Sequence, residues 1–217
     1  MEESYSISLK KTWENIKSDL ARYTITEGRS KLASFILSPG VLAGIYYRIG
    51  HWIWYSEGAA KPLILLRPFY IIGKRFIEMY TGISVSPQAR IGSGLYFNHF
   101  GSIFIGASTI GDNCNFAHEI TVGIAGRGSK RGRPEIGDRV FVGPGAKVLG
   151  PVKVGNDVSI GANAVVTKDL VDRAVAVGVP AKIVSYNGSF DFIVYREMET
   201  DPERAQSLQA LQAVQAN

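Results

Sequence analysis

The chain has 217 residues, of which 46% are hydrophobic and 20% are charged, and this balance excludes a disordered or fibrous protein. It is long enough to bury a core in one or two domains. The single cysteine, Cys114, excludes an internal disulfide and favours a reducing compartment. Because the N-terminus is acidic and lacks the apolar core of a secretory signal, we expect a cytoplasmic protein.

The first 80 residues are predicted to form helices. Apolar residues recur at helical spacing over residues 8–23, 41–54 and 63–80, and Ser38-Pro39-Gly40 marks a break. No apolar stretch is long and uncharged enough to predict a transmembrane helix. The region holds 11 Lys and Arg against 7 Asp and Glu. These basic residues fit the solvated rim of packed helices, or peripheral contact with the inner face of an anionic membrane, whereas nucleic acid binding is not expected.

A period of six residues governs the second half of the chain. Aliphatic residues occupy every sixth position after residue 130, and Gly follows four of them. The positions are Ile136, Val142, Val148, Val154, Ile160 and Val166. Earlier positions with the same spacing are Val85, Ile91, Phe97, Ile103, Ile110, Phe116 and Val122, with a slip of one residue between Ile103 and Ile110 that indicates a bulge or an extra corner residue.

This period fits neither of the common secondary structures. A helix needs apolar residues every three or four positions, and a half-buried strand alternates over a longer run. One inward aliphatic residue in every six predicts instead a prism of short strands, in which three repeats form one coil and successive coils stack. We therefore expect a mainly β protein with a helical N-terminal region.

Three segments, IGSGLYFNHFGSIFIG, RGRPEIGDRVFVGPGAKVLGPVKVGNDVSIGANAVVTKD and VGVPAKIV, resemble the hexapeptide-repeat acyltransferases. Within that family the chain is most similar to the serine O-acetyltransferase-like branch, which is also found among polysaccharide O-acetyltransferases. The resemblance implies a left-handed parallel β-helix, acetyl-CoA as the acetyl donor, and a homotrimer, or a multiple of trimers, with active sites between subunits. It predicts a helical region over residues 1–80, an acetyltransferase domain over 81–185 and a C-terminal tail over 186–217.

Two of the three histidines are candidate catalytic residues. Acetyl transfer to an alcohol needs a general base, and histidine suits this role near neutral pH. His99 matches the position of the family's catalytic histidine and follows Phe97 by two residues. His118 follows Phe116 by two residues, one coil further on, so the two imidazoles should stack and resist double protonation. Alternatively, His118 only lines the acceptor pocket, and His51 is expected to pack within a helix.

Substitutions relative to the serine enzymes predict a different acceptor. The family's serine acetyltransferases have an aspartate where this chain has Ser84, a second aspartate at Asn98 and a histidine at Arg133. Loss of the acidic groups removes the charge complement of a free α-amino group. Glu119 is a candidate for the missing orienting carboxylate. We therefore expect a saccharide acceptor, from a surface polysaccharide or its precursor, with serine O-acetyl transfer and a non-catalytic scaffold as alternatives. The predicted acceptor-binding residues are Ser84, Asn98, Arg131 and Arg133.

The resemblance also implies a groove for acetyl-CoA along one edge of the prism, where GPGAK, GANAVVTKD and GVPAK would stack. Backbone amides there would hold the pantetheine, and lysines would face the phosphates. The expected contacts are Gly123, Pro144, Ala146, Ala162, Thr167, Lys168 and Lys182. The basic loop GIAGRGSKRGRPE would help to wall the active site. Since neither a metal-ligand spacing nor a nucleophile elbow occurs, we expect direct attack by the acceptor hydroxyl without a metal.

Overall fold

The structure, a computed structural model, describes residues 5–56, 61–128 and 131–215. Its helices are α1 (Leu9–Glu27), α2 (Lys31–Leu37), α3 (Pro39–Tyr55), α4 (Lys61–Thr81) and α5 (Pro202–Gln215). Ser8 caps α1 by accepting a hydrogen bond from the Lys11 amide, and Gly28 ends this helix at a positive φ of 65°. The helical periodicity of the N-terminal region correctly predicts α1, α3 and α4. It does not predict the short helix α2.

Short strands follow, each of two to four residues. Their bounds are β1 (Ile83–Val85), β2 (Arg90–Ile91), β3 (Tyr96–Phe97), β4 (Ile103–Ile105), β5 (Thr109–Ile110), β6 (Asn115–Phe116), β7 (Thr121–Gly123), β8 (Glu135–Ile136), β9 (Phe141–Val142), β10 (Lys147–Leu149), β11 (Lys153–Val154), β12 (Ser159–Ile160), β13 (Val165–Val166), β14 (Val175–Val177) and β15 (Lys182–Ser185).

The strands form three parallel sheets, which are the faces of a prism of about five coils. Face A contains β1, β4, β7, β10 and β13; face B contains β2, β5, β8 and β11; face C contains β3, β6, β9, β12 and β14. The last strand, β15, pairs antiparallel to β14 and closes that end. From β1 to β13 every third strand therefore returns to the same face, which confirms the predicted solenoid.

The predicted inward positions are all buried, but the slip in the repeat lies elsewhere than predicted. Val85 pairs in register with Ile105, not with Ile103, whereas Phe97 pairs with Phe116. Phe97 and Ile105 are eight residues apart, against six between Phe116 and Val122, so the corner after β3 holds two extra residues. Ile103 concealed the insertion because it is also buried, in register with Ile83.

The N-terminal helices are fastened to the first coil by a buried ion pair. Asp19 of α1 accepts hydrogen bonds from the Arg48 guanidinium of α3 at 2.8 and 3.0 Å and from the Leu95 amide at 2.8 Å. Arg48 also donates to the carbonyls of Ile91 and Gly92 at 2.6 and 2.5 Å. Because both charges are saturated with partners, burial is tolerated, and the helices cover the open end of the solenoid.

The C-terminal segment folds back along face C. The ring of Phe192 stacks on Phe141 at 4.5 Å, and its carbonyl accepts from the Asn115 side chain. Arg139 pairs with the buried Asp157 at 2.7 Å and with Glu203 of α5 at 3.2 Å. The predicted tail therefore contains a helix that is packed on the solenoid.

No single helix of the described chain is long and apolar enough to cross a membrane. The bent pair α2 and α3, which meet at 91°, passes that test only when the two are taken together.

Replacing Arg48 with Met should lower the free energy of unfolding by about 3–5 kcal/mol, because the Asp19 carboxylate is left buried without its cation. Urea unfolding followed by circular dichroism measures this. The control is Lys153→Met, which removes an exposed ion pair with Glu135 and should cost less than about 1 kcal/mol. Equal losses in the two variants would contradict this account of the fold.

His51 predicts a pH dependence of stability. It is buried in α3, with Nδ1 donating to the Pro87 carbonyl at 2.9 Å and Nε2 accepting from the Tyr5 hydroxyl at 3.0 Å. Burial lowers the pKa of His51 to about 4, and the charge of Arg48 adds to this effect. In the unfolded chain His51 has its ordinary pKa of about 6.5, so it binds a proton at a higher pH than the folded chain does. The free energy of unfolding should therefore fall by roughly 2–4 kcal/mol as pH drops from about 6.5 to about 4. Urea unfolding of His51→Gln should show a flatter slope over this range, and an identical slope would contradict the assignment.

Candidate active site

The corners that lead from face C to face A form one continuous column, which we term the C-to-A corner. Its members are residues 98–102, 117–120, 143–146 and 161–164. Hydrogen bonds join successive levels: the Glu119 amide donates to the Gly101 carbonyl at 3.1 Å, Gly145 to His118 at 3.0 Å, and Asn163 to Pro144 at 2.8 Å. Side chains on this column are therefore held at the spacing of adjacent parallel strands.

His99 and His118 occupy the first two levels of the column. Their ring centroids are 5.7 Å apart and the rings are inclined at 71°, an edge-to-face arrangement that confirms the predicted stacking. His99 is exposed and has a positive φ of 70°. His118 is half-buried, and its Nδ1 atom has no hydrogen-bond partner among the described residues.

A cavity of about 270 Å³ lies between this corner and the N-terminal helices. Asn98 and His99 line it on the solenoid side, and Glu27 and Arg29 line it on the helical side. The Glu27 carboxylate accepts from Arg29 at 3.2 Å and from the Ser38 hydroxyl at 2.7 Å. One carboxylate and one guanidinium therefore stand in the same cavity as the candidate base.

Sequence reasoning missed Glu27 and Arg29, because they precede the repeat by more than 50 residues. The only signal was the Ser38-Pro39-Gly40 break, where α3 begins against the corner. A Cβ atom on Gly40 would lie 2.4 Å from the Tyr23 hydroxyl and 2.9 Å from the Phe97 Cβ. Glycine is thus required for the close approach that forms the cavity wall.

Ser84 lies on face A rather than in the cavity. Its hydroxyl donates to the Glu78 carboxylate of α4 at 2.5 Å, and Lys74 also binds that carboxylate. Burial alone would raise the pKa of Glu78. Hydrogen bonds from Lys74 and Ser84 outweigh this effect and hold the pKa below its ordinary value. Glu119 is exposed and makes no hydrogen bond with either corner histidine within the described chain. Neither residue orients His99 in this chain.

Arg131 and Arg133 belong to a different corner of the prism from His99 and do not line its cavity. They belong to the loop between β7 and β8, which leaves the prism at the opposite edge of face A and is closed by pairing of Ala125 with Gly132. Both arginines are exposed. Residues 129 and 130 of this loop lie outside the described residues.

The predicted cofactor contacts divide into two groups. Pro144 and Ala162 lie on the same corner column as the histidines, and Ala162 is exposed. Ala146 requires a correction, because it is fully buried and its amide already donates to the Gly143 carbonyl at 3.2 Å. The residues away from this column are Gly123, Thr167 and Lys168, at the far edge of face A, and Lys182 at the start of β15.

Stacked six-residue repeats with a corner histidine define a hexapeptide-repeat transferase. The family model described as "Bacterial transferase hexapeptide (six repeats)" matches residues 133–168. Serine acetyltransferase of Helicobacter pylori strain J99 is 39% identical over 161 residues, which are 72% of this chain and 88% of that protein. The Mycobacterium tuberculosis serine acetyltransferase is also 39% identical, over 71% of this chain and 66% of its own length.

Solved structures agree with these relatives. The crystal structure of Neisseria gonorrhoeae serine acetyltransferase has a TM-score of 0.71 at 26% identity, covering 82% of this chain and 68% of that one. Soybean serine acetyltransferase has a TM-score of 0.70 at 30% identity, covering 81% of this chain and 69% of that one. A serine acetyltransferase in complex with CoA has a TM-score of 0.69 at 27% identity, covering 81% of this chain and 71% of that one. The chain belongs to the serine acetyltransferase family of left-handed β-helix enzymes and is an acetyl-CoA-dependent acyltransferase.

Replacing Ala162 with Trp should weaken CoA binding about tenfold or more without loss of stability, because the exposed corner would be filled by an indole ring. Isothermal titration calorimetry with CoA measures this. Val171→Trp, at an exposed position between faces B and C, is the matched control. If both variants bound CoA as tightly as the wild type, the cofactor would not lie along the C-to-A corner.

Proposed function

We propose that the chain transfers the acetyl group of acetyl-CoA to the hydroxyl of L-serine, with His99 as general base. The observation that carries the proposal is the cavity in which His99 faces the Glu27 carboxylate and the Arg29 guanidinium. The relatives named serine acetyltransferase favour this acceptor over the saccharide expected from the sequence.

The charges of the cavity complement an amino acid. A carboxylate binds an ammonium group and a guanidinium binds a carboxylate through strong charge-assisted hydrogen bonds. Asn98 and Ser84 had indicated that no acidic group remained for the α-amino group, and this was the main reason for expecting a sugar. Glu27 supplies such a group from the end of α1, so that reason no longer holds.

The chemistry requires one proton to move twice. His99 takes the proton of the acceptor hydroxyl while its oxygen attacks the thioester carbonyl, and the imidazolium then protonates the departing thiolate. Acetyl-CoA supplies the activated acyl group. Pro144 and Ala162, with their small side chains, leave the corner next to the histidines open, and the exposed Lys168 and Lys182 would meet phosphates.

The proposal includes a homotrimer. Arg131 and Arg133 do not line the cavity of His99 in their own chain, but they are exposed at the opposite edge of face A. A neighbouring copy packed on this face would bring them to the acceptor cavity. The charged cavity beside the corner histidines argues against a non-catalytic scaffold, while peripheral membrane contact and a cytoplasmic location stay predictions.

Thiol release from acetyl-CoA tests the reaction against a panel of L-serine, N-acetyl-L-serine and neutral sugars. L-serine should be the best acceptor, and His99→Ala should lower kcat by roughly 10²–10⁴-fold. Turnover of sugars with no turnover of L-serine would overturn the proposal.

Glu27→Gln should raise KM for L-serine roughly 10- to 100-fold, because a hydrogen bond to a charged group worth about 1.5–3 kcal/mol is lost. The advantage of L-serine over N-acetyl-L-serine, which lacks the ammonium group, should shrink in the same variant. Glu14→Gln, at an exposed position of α1, is the control. An unchanged ratio of kcat/KM values for the two acceptors would exclude Glu27 from acceptor binding.

A further inference from the structure

The candidate base has no carboxylate partner. In the described chain no hydrogen bond joins the His99 side chain to another residue, and the Glu78 carboxylate is engaged with Lys74 and Ser84. A catalytic histidine normally needs a second group that fixes its ring and shares the charge that develops on it. An exposed imidazole without such a group would lose orientation.

His118 is in direct ring contact with His99. The edge-to-face geometry at 5.7 Å is set by the backbone, because the His118 carbonyl accepts from Gly145 and the Glu119 amide donates to Gly101. These bonds fix the vertical spacing of the two corners. His118 thus holds a constant position beneath a ring that is otherwise free to turn.

The unpartnered Nδ1 of His118 is an independent observation. A buried polar atom without a hydrogen bond destabilises the folded state, and in native proteins such atoms are uncommon and often belong to functional sites. A purely structural histidine at this position would be expected to use that nitrogen, as His51 uses both of its ring nitrogens in α3.

We propose that His118 is the positioning residue of the base, and that it holds the His99 imidazole in place through their edge-to-face contact. The inference rests on the proposed role of His99. Because the backbone fixes the position of His118, its ring limits the orientations that the exposed His99 ring can adopt.

Two measurements on the full chain test the proposal. In the NMR spectrum of the wild type, nuclear Overhauser effects should connect the ring protons of His99 with those of His118. The kcat for L-serine should fall about tenfold in His118→Gln with KM little changed, and His118→Phe, which keeps a ring at this position, should recover most of the wild-type kcat.

The control is His51→Gln, which should leave both the ring contact and kcat unchanged. Absence of any nuclear Overhauser effect between the two rings in the wild type would overturn the inference, and this measurement requires no variant to fold. If His99→Ala kept full activity, the proposed function itself would fail. If His99→Ala were inactive while His118→Gln left kcat unchanged, only the inference about His118 would fail.

Discussion

The ion pair between Asp19 and Arg48 is the contact on which the candidate site depends. It is buried, and its remaining hydrogen-bonding capacity is used by backbone groups of the first coil, Ile91, Gly92 and Leu95. The pair therefore fastens two helices to the solenoid as well as to one another. One wall of the His99 cavity belongs to the helices and the other to the first corner, so this contact helps to hold the two walls together.

The solenoid could be predicted from the sequence because each repeat places an aliphatic or aromatic side chain inside the prism. That rule is local, so a period of six is visible without knowledge of the fold. The two-residue insertion after Phe97 could not be located in the same way. Ile103 and Ile105 are both apolar and both buried, so their hydrophobicity does not predict which of them pairs in register with Val85.

The same contrast applies to the site. His99 and His118 could be placed together because strand register fixes their spacing, whereas Glu27 reaches the cavity of His99 only through the docking of α1 and α3. The prediction of a saccharide acceptor rested on the neutral Ser84 and Asn98 of the repeat, and Glu27 lies outside the repeat. Charge complementarity in a two-part cavity depends on tertiary contacts, which a linear pattern does not contain.

A crystal structure of the chain with CoA and L-serine bound tests the central claim most directly. The account predicts the serine hydroxyl within hydrogen-bond distance of His99, its ammonium group on the Glu27 carboxylate, and the pantetheine along the corner that carries Ala162. Serine bound elsewhere, for example in the cleft of about 780 Å³ between α1 and the C-terminal segment, with the His99 cavity empty, would contradict it.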